Sequence, residues 1–161
     1  MKLFKFNKKN NFLIILIVIL GSTVFTSYFQ VIKDVISPTG HHDFQWSPSK
    51  LLFEKINHYE YMLSGKTEKI LMSQYGEYLH GLYVLFYPFT LLNWSQAKIA
   101  WMLLNIILLV LIPTMICRKF SISLEKSILI IFFFCFCIVS KVQIVTGQQT
   151  LLILFFFTLP F

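Results

Sequence analysis

The residues best suited to proton chemistry lie together in one polar stretch between long apolar runs. Six of the seven acidic residues and all four histidines fall within residues 33–80. The sharpest cluster is His41-His42-Asp43, which Phe44 follows directly. A carboxylate beside a low-dielectric surface can have a raised pKa, which suits a general base. The pattern alone leaves two interpretations of Asp43 open: a general base, or a solvated loop aspartate without a role.

A second polar element lies between two apolar runs in the C-terminal part of the chain. Gly147 permits a tight backbone path, and the Gln148 amide offers hydrogen-bond donors and an acceptor. These two residues are candidate substrate-binding positions, unless they form an ordinary turn between helices. His80 and Lys141 also lie beside apolar runs, where each alone is more typical of a structural residue or a membrane anchor.

The composition predicts an all-α integral membrane protein. Of the 161 residues, 57% are hydrophobic and only 13% are charged, and the mean hydropathy is +0.71. Soluble domains are usually about 45–50% apolar and about 25% charged. A soluble domain of this size cannot bury so much apolar surface, so we expect lipid to be part of its solvent.

The net charge of +7 does not indicate a nucleic-acid partner. The basic residues are scattered at the boundaries of apolar runs, where they fix membrane orientation, and they form no single patch. The three cysteines lie at or inside apolar runs without the spacing of a redox pair or a zinc site. The sequence therefore predicts neither a bound metal nor a cofactor.

Four apolar runs predict transmembrane helices, each of which needs about 20 residues. Four lysines precede the first run and place the N-terminus in the cytoplasm. A cleaved signal peptide is the alternative, although no convincing cleavage site follows this run. The predicted helices cover residues 11–32, 99–117 and 121–140, and residues 149–161 begin a further one.

The short apolar stretch at residues 82–92 decides the topology. A helix of its eleven residues covers about 16 Å, roughly half of the hydrocarbon core, which predicts a re-entrant or interfacial element. If this stretch does not cross, the basic residues within 118–126 lie in the cytoplasm, as the positive-inside rule requires. If it crosses, they are forced outside. The non-crossing topology makes residues 33–80 an extracytoplasmic loop and places residues 145–149 on the same face.

The extracytoplasmic loop is expected to carry amphipathic helices that lie on the bilayer surface. Ser47 is a possible N-cap with Pro48 in the first turn, and apolar side chains then recur at helical spacing through residues 51–63. Gly65 is a plausible C-cap. A second surface helix is predicted to begin near Glu68.

Several short motifs follow one another in a characteristic order. An Asp-Phe pair comes after the first helix, and a surface helix then ends in Leu-Ser-Gly at residues 63–65. From about residue 12 onward, the chain resembles the N-terminal part of the GT-C membrane glycosyltransferases, most closely glycosyltransferase family 87. The family's Tyr-Pro-Pro motif appears here as Tyr87-Pro88-Phe89, and its Gly-Gln-x-Asn motif appears as Gly147-Gln148-Gln149-Thr150. Between these two altered motifs lies a helix that carries the motif residues Ala97, Trp101 and Asn105.

The resemblance implies an inverting transfer of a mannose-like hexose from a polyprenyl-phosphate sugar to a glycolipid or glycan acceptor. The reaction would take place on the extracytoplasmic face of the plasma (inner) membrane, with Asp43 as the base. Cationic side chains would balance the charge of the leaving phosphate. The candidates for this binding role are His41, His42, Lys50, His80 and Lys141. Because the family has more helices, residues 1–161 are expected to form a single, incomplete membrane domain: an N-terminal fragment or a truncated relative.

The alternative function is non-enzymatic, as a small polytopic membrane protein such as a transporter or an assembly subunit. Transport paths usually place ionisable groups within the membrane spans. The spans predicted here contain almost none, which favours the glycosyltransferase.

Overall fold

A computed structural model describes residues 8–37, 44–71 and 80–159 of the chain. Over these residues all regular secondary structure is helical, which confirms the all-α prediction for this part of the chain. The helices in chain order are α1 (Lys8–Ile36), α2 (Trp46–Phe53), α3 (His58–Leu63), α4 (His80–Leu85), α5 (Tyr87–Thr90), α6 (Trp94–Lys119), α7 (Leu124–Phe136), α8 (Ile138–Thr146) and α9 (Thr150–Thr158).

Two of these helices are long and apolar enough to cross a membrane. They are Ile14–Ile36, which is most of α1, and the whole of α6, and the bent pair α7–α8 makes a third if it is one span. A helix of 26 residues such as α6 is about 39 Å long, more than the roughly 30 Å of a hydrocarbon core. By the length and composition of these helices, the chain is a membrane protein.

The first long helix continues beyond its predicted end at residue 32. It runs to Ile36, so Lys33 and Asp34 belong to the helix and the loop starts later. The Gln30 side-chain amide donates to the Asp34 carboxylate one turn away, at 2.9 Å. This pair satisfies polar groups on the helix surface itself and lets the last turn form.

The second long helix begins at Trp94, five residues before its predicted start at residue 99. A capping box explains the earlier start. The Asn93 side chain accepts from the Gln96 backbone N–H, and the Gln96 side chain accepts from the Asn93 N–H. The helix then passes through Pro113 without interruption.

The predicted single helix over residues 121–140 is instead broken at Cys137. The directions of α7 and of Ser140–Thr146 differ by 57°. Backbone carbonyls freed at such a break need new donors when no water is near. The Tyr28 hydroxyl donates to the Cys135 carbonyl at 2.8 Å, and the Ser140 hydroxyl donates to the Phe134 carbonyl at 2.6 Å.

The predicted surface helix that starts at Ser47 forms as two shorter helices. The N-cap of α2 is Gln45 in the left-handed conformation rather than Ser47, whose hydroxyl accepts from the Leu71 N–H. The helix stops at Phe53, and the Asn57 side chain caps α3 by accepting from the Tyr59 N–H. The second predicted surface helix does not start at Glu68, because positions 68 and 69 form a turn and positions 70 and 71 are irregular. The rest of that predicted helix, at residues 72–79, lies outside the described residues.

Helix α3 ends just before Gly65, the glycine that was predicted to terminate a helix. Gly65 has a φ of 74°. Its N–H bonds to the Met62 carbonyl, and the Lys66 N–H bonds to the Tyr61 carbonyl. This pair of bonds is a Schellman motif, so the prediction of Gly65 as the helix terminator is confirmed.

The apolar stretch at residues 82–92 forms most of α4 and all of α5, which have six and four residues. They are separated at Phe86, which is fully buried. Neither helix approaches the thickness of a hydrocarbon core at about 1.5 Å per residue. Both pack against α2, so this stretch and the start of the loop form one group of short helices.

Two apolar clusters hold the described residues together. The larger one joins α1 to α6, α7, α8 and α9 and includes Tyr28, Met102, Leu109 and Ile144. The smaller one, which we call the aromatic cluster, joins the short helices to the start of α6. Its buried members are Phe44, Trp46, Phe86, Ala97 and Trp101, with Phe89 and Trp94 packed against them.

Candidate functional site

The aromatic cluster is built around Phe44, the residue that follows Asp43. Its side chain is fully buried. The ring stacks on Trp94, with centroids 5.6 Å apart and planes 8° apart, and on Trp101, with values of 5.4 Å and 15°. Phe86 and Phe89 present edges to it, each at 6.0 Å. Such offset and edge contacts add to the burial energy, so the position of Phe44 is strongly determined.

Trp101 connects this cluster to the Gly147-Gln148 turn. Its indole N–H donates to the Gly147 carbonyl at 2.9 Å, and both residues are buried. Asn105, one turn further along α6, donates to the Trp101 carbonyl at 2.9 Å. One tryptophan therefore contacts Phe44, the neighbour of Asp43, with its ring and the predicted site residue Gly147 with its N–H.

Lys98 is a buried cation that the sequence analysis missed. The side chain is 4% exposed, and its ammonium donates to the Ser37 carbonyl at 2.9 Å. It also lies 5.7 Å from the centre of the Trp94 ring. Its sequence signal is a lysine four residues inside an apolar helix, between Ala97 and Ile99. A charge in such a place needs partners, and here a carbonyl and a ring face supply them.

The other predicted site residues occupy different places. His41, His42 and Asp43 lie outside the described residues, and His80 is the first residue of α4. Gly147 and Gln148 form the turn between α8 and α9, with Gly147 at a φ of 72°.

Lys141 is helical rather than part of a loop. It belongs to α8, and its ammonium lies 4.4 Å from the centre of the Phe136 ring, across the break between α7 and α8. The turn that follows α8 is therefore shorter than predicted and contains only residues 147–149. The structure shows no contact between Lys141 and the aromatic cluster among the described residues.

Lys50 joins the site through α2. Its ammonium lies 4.7 Å from the centre of the Trp46 ring. The Trp46 indole N–H donates to the Phe89 carbonyl at 3.0 Å, and its ring lies 5.7 Å from the Trp94 ring. The helix that carries Lys50 is thus attached to the aromatic cluster.

A pocket opens beside Lys50. Its volume is about 320 Å³, and its walls come from α2 and from the chain around residue 70. The lining residues are Trp46, Ser47, Lys50, Leu51, Glu54, Glu68, Lys69 and Leu71. Small-ligand sites usually have about 300–1,000 Å³, so this pocket is large enough for a small polar molecule.

We call this pocket the loop pocket. Its charged residues are held by specific contacts. Lys69 forms a 2.7 Å ion pair with Glu54, which raises the pKa of the lysine. A backbone hydrogen bond and a 2.8 Å bond from the Tyr61 hydroxyl lower the pKa of Glu68. The lowered pKa keeps the Glu68 carboxylate ionised at neutral pH.

Within the described residues, no group of three His, Cys, Asp or Glu side chains is arranged to hold a metal ion. The described side chains offer hydrogen bonding, aromatic contact and charges of both signs. No family model, curated protein or solved structure matches this chain.

Proposed function

We propose that the chain acts as a polyprenyl-phosphate-sugar-dependent hexosyltransferase of the GT-C type, similar to glycosyltransferase family 87. Asp43 is its base. The observation that carries the proposal is the double contact of Trp101, with Phe44 on its ring and Gly147 on its indole N–H. Two of the short motifs that motivated the resemblance, Asp43-Phe44 and Gly147-Gln148, thus each have one residue in contact with the same side chain, although about 100 residues separate them.

The anchoring of the segment that carries Asp43 supports this assignment. That segment joins Ser37 to Phe44 in the sequence. The Ser37 carbonyl is bound by Lys98, and Phe44 is stacked on Trp94 and Trp101. Both flanks of the segment are therefore attached to the first two turns of α6, beside the turn that contains Gln148. Precise placement of a base relative to its substrate is a large part of catalysis.

The distribution of charge supports an extracytoplasmic location for this end of the helices. The opposite end of α6 carries Arg118 and Lys119, and Lys126 follows in α7. Positive residues at helix ends favour the cytoplasm. In the proposed arrangement the N-terminus is cytoplasmic, the protein is a multi-pass protein of the plasma membrane, and the aromatic cluster faces outward.

The proposed reaction is one inverting displacement. Asp43 accepts the proton of an acceptor hydroxyl while that oxygen forms a bond to the anomeric carbon of the donor sugar. The bond from this carbon to the phosphate oxygen breaks, and the polyprenyl phosphate leaves with the electron pair. Cationic side chains stabilise the phosphate. The proton then passes from Asp43 to solvent, and the acceptor carries one more hexose.

Asp43→Asn tests the proposal, because an amide cannot accept this proton. The measurement is transfer of labelled mannose from polyprenyl-phosphate mannose to glycolipids, with the purified chain in lipid vesicles. We expect the rate to fall by about 100-fold or more. Asp34→Asn is the matched control, since Asp34 lies on α1 and bonds to Gln30, and it should retain the rate.

Full activity in Asp43→Asn would overturn the proposal. Absence of any transfer by the wild-type chain with this donor would favour the non-enzymatic alternative. Thermal unfolding of both variants in detergent shows whether a loss of rate reflects a loss of fold.

A further inference from the structure

The loop pocket has walls that are fixed to each other. The Ser47 hydroxyl accepts from the Leu71 N–H at 3.0 Å, and the Glu54–Lys69 ion pair closes the same two walls further along. Ser47 is 1% exposed, so the first of these bonds is shielded from water. The pocket is therefore built by contacts between α2 and the chain around residue 70, which are 15 to 24 residues apart.

The charges that line the pocket are balanced. The lining residues include two lysines, Lys50 and Lys69, and two glutamates, Glu54 and Glu68. Lys69 is paired with Glu54. A phosphate or a carboxylate ligand requires an excess of positive charge, and a cation requires an excess of negative charge. The balanced set instead fits a neutral ligand with many hydroxyl groups, because each hydroxyl can donate to a carboxylate and accept from an ammonium.

The remaining lining residues are Ser47 and three apolar side chains. Trp46, Leu51 and Leu71 line the pocket next to the charged groups. A pyranose ring has this same combination of a C–H surface and a hydroxyl rim, and a pocket of about 320 Å³ is at the small end of the range for ligand sites. The pocket is also linked to the aromatic cluster, since Trp46 contacts both Trp94 and the Phe89 carbonyl.

We propose that the loop pocket binds a neutral pyranose ring of the acceptor glycan. The identification of this sugar as part of the acceptor rests on the proposed transferase function, whereas the binding of a neutral sugar rests on the pocket alone. The donor is the less suitable occupant, because its phosphate would find no net positive charge here. Carboxylate and ammonium side chains of the pocket select the sugar by its hydroxyl groups.

The test uses methyl α-D-mannopyranoside and the purified chain in detergent, with saturation-transfer NMR as the binding measurement. Wild type should bind the sugar. Glu68→Gln should bind it about tenfold more weakly, because a charge-assisted hydrogen bond is replaced by a neutral one. Glu60→Gln is the matched control: Glu60 is exposed on α3 and does not line the pocket, so its affinity should equal that of wild type.

Two further arms separate the possible occupants. Inorganic phosphate and a short-chain polyprenyl phosphate should not displace the sugar, and displacement by either would overturn the assignment. No binding by wild type, or an equal loss in Glu60→Gln, would also overturn it. Unchanged thermal unfolding of Glu68→Gln shows that the pocket is still folded.

The outcome is independent of the transfer assay. If sugar binds but Asp43→Asn retains full transfer, only the proposed function fails. If Asp43→Asn loses transfer but no sugar binds, only the assignment of the pocket fails.

Discussion

Three polar side chains in the long apolar helices each donate to a distant backbone carbonyl. Tyr28 on α1 binds Cys135, and on α6 Lys98 binds Ser37 and Trp101 binds Gly147. Each carbonyl lies at a helix end or a helix break, where it has lost its partner within the helix. These bonds therefore stabilise the places where the chain changes direction.

Tyr28→Phe removes one of these donors and nothing else. The Cys135 carbonyl then stays buried without the Tyr28 donor, so the free energy of unfolding should fall by about 1–3 kcal/mol. Thermal unfolding in detergent measures the change. Tyr87→Phe is the matched control, because Tyr87 is 43% exposed and its loss of a hydroxyl should change stability by less than about 0.5 kcal/mol. Equal stability of both variants would show that the Tyr28 bond contributes nothing.

Three helices end in the same way, with one residue in the left-handed conformation. These residues are Lys55 after α2, Gly65 after α3 and Ser121 after α6, with φ values of 60°, 74° and 50°. In each case the next residue donates to a carbonyl five positions earlier, which completes a Schellman motif. Only Gly65 adopts this conformation without a steric cost.

Substitutions at two of these positions should have opposite effects. Gly65→Ala should lower the free energy of unfolding by about 1 kcal/mol, through backbone strain alone, because no atom lies within 4 Å of an added methyl group. Ser121→Gly should leave stability equal or raise it by up to about 1 kcal/mol, because it relieves the same strain. Thermal unfolding in detergent of both variants tests the sign. A stabilising Gly65→Ala would contradict this account of the helix ends.

The described part of the molecule has two different ends. The end where α6 begins holds the aromatic cluster, the turn at residues 147–149 and the group of short helices. The other end of α6 carries Arg118 and Lys119, with Lys126 shortly after in α7. All predicted site residues whose side chains the structure describes belong to the first end or to α8, which leads to it.

Cysteine accessibility tests the proposed orientation of these two ends. In a background without the three native cysteines, Ser95→Cys and Gln148→Cys should react with a membrane-impermeant maleimide added to intact cells. Lys119→Cys should react only after the cells are permeabilised. Ser95 is exposed in the first turn of α6 and Lys119 is exposed in its last turn, so the pair reports on one helix. The reverse pattern would invert the topology and remove Asp43 from the outer face.

Apolar composition and run length were enough to predict a helical membrane protein, because hydrophobicity is a local property that any window of about 20 residues displays. Glycine at a helix end was equally local, and Gly65 ends α3 as predicted. No proline or glycine lies near the break at Cys137, so the sequence gives no local signal for it. It is stable because Tyr28 and Ser140 bind the freed carbonyls.

The tertiary structure alone decided which polar groups meet. The bond from Trp101 to Gly147 spans 46 residues, the bond from Lys98 to Ser37 spans 61, and the bond from Tyr28 to Cys135 spans 107. Sequence spacing carries no information about such pairs, because they depend on how the helices are rotated and how far they are shifted along one another. The sequence by itself named Gly147, Gln148 and the Asp-Phe pair and predicted the same membrane face for them. The packing of α6 placed Phe44 and Gly147 on one tryptophan.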